Sequence, residues 1–219
     1  MNKIFCCPDN ICGFALRFRR FSLISQPKMR KNMISFESDY NNGAHPLVLK
    51  RLVDTNKTKT LSYGYDEFSD AAKEKIKVAC ENPDAQIWFL VGGTQTNATV
   101  IDSILHTYEG VIAVDSGHIA THEAGAIEFT GHKVITIPGK EGKMEAKTLD
   151  QFMDDFLHDD NAAHSVYPGM VYITMPTEYG TLYSAKDLDD IYQVCQKYHI
   201  ALYVDGARLG YGLTAPTSD

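Results

Sequence analysis

From residue 67 onward the chain alternates between amphipathic stretches of helical period and short apolar runs, and this alternation most constrains its fold. Apolar runs suit strands buried on both faces, and the helical stretches between them suit crossovers, so the order predicts βα units and a mainly parallel sheet. Strands are predicted at 86–91, 111–114, 133–137, 170–174 and 200–204, and helices at 67–81, 95–107, 120–129, 145–158 and 187–198. At 219 residues and 44% apolar, the chain can bury one substantial α/β core. In such a domain functional groups collect at the carboxyl ends of the strands.

The charge is unevenly spread. Residues 1–32 hold seven Lys/Arg against one acid, Asp9, so the remainder is more acidic than the formal total of −7 suggests. An acidic body repels phosphate backbones, which argues against nucleic-acid binding. The basic head has three of the five cysteines, Cys6, Cys7 and Cys12, and Pro8-Asp9-Asn10 interrupts any apolar signal core. It is expected to be disordered, either as a presequence or as an extension ahead of Met29 or Met33. The cysteines lack zinc spacing, and no apolar run is long enough to span a membrane. Residues 33–219 then form the domain proper, with the cytoplasm as the expected compartment and organelle targeting as the alternative.

Four positions stand out by their place after predicted strands. Gly92-Gly93-Thr94 turns from the 86–91 run into a helix, where small residues and unpaired first-turn N–H groups suit a phosphate. A tight turn capped by Thr94 or Thr96 is the competing reading. Asp205 ends the run Ile200-Ala201-Leu202-Tyr203-Val204, where a carboxylate needs a cation or a hydrogen-bonding role. The protonated ring nitrogen of pyridoxal 5′-phosphate (PLP) would satisfy it, and a helix N-cap is the alternative. Arg208 offers a planar fork for a substrate carboxylate, or an ordinary surface ion pair. His118 follows the 111–114 strand, where an imidazole can stack on a planar cofactor, move protons, or be structural. His122 and Glu123 lie a helical turn away, and Met175–Thr181 supplies polar groups beside another strand end.

Together these segments resemble the threonine aldolase and aromatic amino acid β-eliminating lyase family of fold-type-I PLP enzymes, over residues 34–213. The likeness rests on Phe36-Glu37-Ser38-Asp39-Tyr40, Tyr63-Gly64-Tyr65-Asp66, Gly93-Thr94, His118-Ile119 with Glu123-Ala124-Gly125, and Asp205-Gly206-Ala207-Arg208. The resemblance implies that Gly93 and Thr94 bind the cofactor phosphate, that His118 stacks on the ring, that Asp205 holds its nitrogen, and that Ser38 and Arg208 contact the substrate. It further implies PLP as cofactor, an amino acid as substrate, a homo-oligomer, dimer or tetramer, and cleavage of a β-hydroxy amino acid to glycine and an aldehyde.

Two departures qualify it. Pro176-Thr177-Glu178-Tyr179-Gly180 stands where many aldolases carry Thr-His-Asn. The family's Schiff-base lysine falls beyond Asp219, as does its small C-terminal domain, so little activity is expected of these 219 residues alone. A different β-eliminating lyase, an aminotransferase-like enzyme and a non-catalytic truncated fragment are the alternatives.

Overall fold

The computed structural model describes residues 38–40 and 42–216. The basic head, 1–32, lies outside them. The chain divides into two compact units, Met1–Lys59 and Thr60–Asp219. In the described part of the first unit, α1 (Pro46–Thr55) begins on a proline and is capped by His45, whose Nδ1 accepts from Leu47 N at 3.2 Å.

The second unit is built on four parallel strands in the order β2-β1-β3-β4: β1 (Glu109–Val114), β2 (Val134–Ile137), β3 (Tyr167–Thr174) and β4 (Ala201–Asp205). Consecutive side chains point to opposite faces, so each central strand feeds two cores. Ile112, Val114, Val171 and Ile173 face one way, against Leu149 and Met153 of α6 (Ala146–Leu157) and Ile191 and Cys195 of α7 (Ala185–Tyr198). Val111, Ala113, Met170 and Tyr172 face the other way, against Ile101 of α3 (Gly93–Ile104), Ile119 of α4 (His118–Thr121) and Ile127 of α5 (Ala126–Phe129). The remaining helices are α2 (Glu67–Ala79) and α8 (Leu209–Gly212). At Gly110 a Cβ would stand 2.7 Å from the Lys133 carbonyl oxygen, so only glycine lets the segment before β2 approach β1 there.

Helix boundaries follow their caps. Asp66 ends the Tyr-Gly-x-Asp loop and accepts from Phe68 N and Ser69 N, which starts α2. The Ser69 hydroxyl, bonded to the same side chain, is the main cause holding that carboxyl below its ordinary range. Ser184 and Asp187 form a reciprocal capping box, so α7 begins at Ala185 rather than at the predicted 187. The single helix predicted over 120–129 is two short ones, because Ala124 and Gly125 adopt positive φ, 52° and 79°, between them.

Residues 86–91 correct the sequence reading. They form no strand: Trp88 and Val91 are 72% and 92% exposed, and the Val91 N–H bonds the Gln95 side chain. An apolar, β-prone run becomes a strand only beside another strand, and this run is not among the four that pair. No helix among the described residues is long and apolar enough to cross a membrane.

The two-faced core sets a stability expectation. Ile112 is wholly buried at the centre of the sheet, so Ile112→Ala should lower unfolding free energy by about 2–5 kcal/mol. Leu52→Ala on the exposed surface of α1 should stay within about 0.5 kcal/mol. Urea unfolding of both variants checks the contrast, and equal losses would contradict this core.

Candidate active site

The carboxyl ends of β3 and β4 meet the start of α3 and the segment after α4, and the side chains there form one polar network. Its hub is Asn97, on the second turn of α3 and 1% exposed. The Asn97 Nδ2 donates to Glu123 Oε1 at 3.1 Å and to Asp205 Oδ2 at 3.0 Å, and its Oδ1 accepts from the Tyr203 hydroxyl at 2.6 Å. Tyr172 on β3 donates its hydroxyl to Asp205 Oδ2 at 2.7 Å, and Ala207 N donates to Oδ1 at 3.0 Å. Among the described residues the donors that reach Asp205 are thus neutral.

Burial pushes the Tyr172 hydroxyl well above the ordinary phenol range, with the Asp205 charge adding to the shift. Burial likewise pushes Tyr203 up to about 12, with Asp205 and Glu123 contributing. Both phenols therefore keep their protons through the neutral range and remain donors.

His118 opens α4 directly above this network. Its Nε2 lies 3.4 Å from Glu123 Oε1 and its Nδ1 3.4 Å from Glu178 Oε1. The imidazole side chain is 37% exposed, whereas Glu123 is 1% and Glu178 15% exposed. Glu178 is fixed in turn by the Thr174 hydroxyl, which donates to its Oε2 at 2.7 Å. One buried oxygen, Glu123 Oε2, has no hydrogen-bond partner among the described residues.

Several sequence-predicted positions therefore come together. His118 and Asp205 share the network through Glu123 and Asn97. Gly93 opens α3 four residues before Asn97, about 6 Å along the helix axis, so the Gly93-Thr94 turn lies beside the polar network. Gly92 caps this helix without a side-chain bond, and a Cβ at Gly92 or Gly93 would meet nothing within 4 Å. First-turn N–H groups at such an end have no intrahelical acceptor. Arg208, exposed, is the residue before α8, three positions past Asp205. Ser38 belongs to the other unit, where its hydroxyl accepts from Tyr40 N at 3.4 Å.

Asn97, Tyr172 and Tyr203 were not singled out by the sequence, although each carried a signal. Asn97 continues the Gly-Gly-Thr turn into its helix, and the two tyrosines interrupt otherwise aliphatic strands.

The residues present fit a ligand that is flat and cationic at one edge and anionic at the other. Among the described residues the donors to Asp205 are neutral and Glu123 Oε2 has no hydrogen-bond partner, while an imidazole offers a face and an open helix N-terminus lies one turn away.

Fold and site together define a parallel α/β domain with a cluster of acids, phenols and an imidazole at the ends of its strands. The chain belongs to the Beta-eliminating lyase family, which matches residues 46–211. It is 40% identical to the threonine aldolase of Leishmania major, superposing with a TM-score of 0.78 over 83% of this chain and 52% of that one. It is 27% identical to the low specificity L-threonine aldolase of Pseudomonas aeruginosa over 175 residues, 79% of this chain and 49% of the relative. A PLP-bound C–S lyase from Staphylococcus hominis, 13% identical with a TM-score of 0.52 over 75% of this chain and 41% of its own, shares the fold alone. The chain spans about half the length of the curated relatives it matches.

The raised phenol of Tyr203 makes alkaline stability a test of the network. A group whose folded value lies above its unfolded value stabilises fully below the latter and loses that contribution as pH rises through the former. For Tyr203 the window runs from its ordinary 10.0 to about 12. Unfolding followed across that range should show stability falling with pH, with a shallower fall in Tyr203→Phe. Identical slopes would remove Tyr203 from the network.

Proposed function

We propose that this chain is the cofactor-binding part of a PLP-dependent lyase of the threonine aldolase type, acting on a β-hydroxy amino acid to give glycine and an aldehyde. The observation that carries the reading is Asp205, a carboxylate at a strand end oriented by Asn97, Tyr172 and Ala207 N and lacking a cation among these donors. The family membership and the likeness to threonine aldolases support it.

Bound, PLP supplies an electron sink for the charge left on Cα when the Cα–Cβ bond breaks. Asp205 accepts the ring N–H and favours its protonated state, while Asn97 and Tyr172 hold the carboxylate in place. His118 presents its ring as a stacking surface. Gly93 and Thr94, at the start of α3, take the phosphate on backbone N–H groups and a hydroxyl. Arg208 pairs with the substrate carboxylate.

A second reading within the family, elimination at Cβ rather than aldol cleavage, is favoured by Glu178 standing in a stretch without the Thr-His-Asn pattern. Products separate the two: glycine with acetaldehyde from L-threonine supports aldol cleavage, and pyruvate from a cysteine-type substrate supports elimination. Independently of turnover, the chain should bind PLP, and Asp205→Ala should weaken binding by about tenfold or more, as expected for loss of a charged hydrogen-bond partner. Titration of PLP absorbance checks this. Absence of PLP binding by the wild-type chain would overturn the proposed function.

A further inference from the structure

We propose that Glu178 is a positioning residue of this site, gripping His118 at Nδ1 while Glu123 grips it at Nε2, so that the ring plane is fixed where a flat cofactor stacks. The inference rests on the function proposed above and deepens it. Both ring nitrogens lie 3.4 Å from a carboxylate oxygen, each carboxylate on a different segment. Whichever nitrogen bears the proton, an acceptor stands beside it. Turning the ring over would exchange both nitrogens for carbon-bound hydrogens and lose both contacts.

Glu178 differs from an ordinary surface acid. Exposed ion pairs contribute little because both side chains are free to leave, whereas here the Thr174 hydroxyl holds Oε2 at 2.7 Å from behind. The loop that carries Glu178 is stitched to itself: Thr177 N donates to Thr181 O at 3.0 Å, Gly180 N to Thr177 O at 2.8 Å, and the two threonine hydroxyls meet at 2.6 Å. It is also tied to the segment after β2, because Thr181 Oγ1 donates to the Glu141 carbonyl at 2.7 Å. At Gly142, φ is +78° and a Cβ would lie 3.0 Å from Tyr179 and 3.1 Å from Thr177 Oγ1, so that segment is shaped to accept the loop. Such construction fixes the direction of a carboxylate, which is what positioning requires.

The test uses the full chain with His118 labelled by ¹⁵N, without cofactor, at pH about 9, above the ordinary imidazole range. Ring ¹⁵N shifts give the ratio of Nδ1–H to Nε2–H forms, which the negative charge facing each nitrogen biases. Glu178→Gln keeps the shape but loses the charge facing Nδ1, so the proton should move toward Nε2 and the ratio fall by about fivefold, the change that about 1 kcal/mol of lost attraction produces. Thr174→Val, which leaves the carboxylate but removes its support, should move the ratio the same way by less. In a second arm, PLP is titrated into both proteins and its induced circular dichroism recorded. Glu178→Gln should bind PLP about tenfold more weakly with a diminished signal. An unchanged tautomer ratio, or equal PLP affinity and dichroism in Glu178→Gln, overturns the proposal while leaving the function in place. If wild-type PLP binding is absent, the proposed function falls and the tautomer ratio alone decides whether Glu178 grips His118.

Discussion

One amide group ties the site together. The Asn97 side chain donates to two carboxylates from the same nitrogen and accepts a phenol on its oxygen, which joins α3, the turn after α4 and β4 in one set of contacts. Two acids so close, with neutral donors between them, are costly in a low-dielectric interior. Among the described residues Glu123 Oε2 finds no partner, and a buried acceptor left so costs about 1–3 kcal/mol. Stability forgone in this way is characteristic of a site arranged around something it binds, since a chain selected for stability alone would fill the space with apolar side chains.

The sheet makes this arrangement possible. Parallel pairing places the carboxyl ends of β3 and β4 in register, with Thr174 opposite Asp205 and Tyr172 opposite Tyr203. Asp205 and Thr174 therefore emerge side by side, one held toward Asn97 and the other toward Glu178. The same alternation that sends Ile173 into the α6–α7 core sends Tyr172 to the α3 side, where its hydroxyl reaches Asp205. Register fixes these directions together: a slip of one residue would exchange the two faces, burying Tyr172 among aliphatics and removing a donor from Asp205.

Much of this was legible in the chain because it is written locally. Four of the five predicted strands exist, since an apolar run followed by an amphipathic stretch needs only near neighbours to declare itself. Asp205 was visible because it directly follows such a run, and His118 because it comes four residues after the end of another. The run 86–91 misled for the converse reason: its composition is that of a strand, but pairing is a property of two segments, and composition reports one. Asn97 was hidden by distance, being 108 residues from Asp205 in sequence. Glu123 depended on a break within a helical pattern, where positive φ at Ala124 and Gly125 turns the chain after α4. Asn97 has no local signature strong enough to choose it over other polar residues, and Glu123, named beside His118, gave no local sign of its bond to Asn97.

Glu178 shows how the two kinds of information combine. Its segment was conspicuous only as a departure from a pattern, which says that something differs without saying what replaces it. Threonines supply the answer: Thr174 fixes the carboxylate, while Thr177 and Thr181 close the loop under it and fasten it to Glu141. Each is a short side chain whose hydroxyl can bond locally, so the loop is specified by nearby contacts even though its target, His118, lies far away in sequence. A carboxylate delivered in this way needs no further partner to choose its direction, and His118, between it and Glu123, has one ring orientation that places both nitrogens 3.4 Å from a carboxylate oxygen.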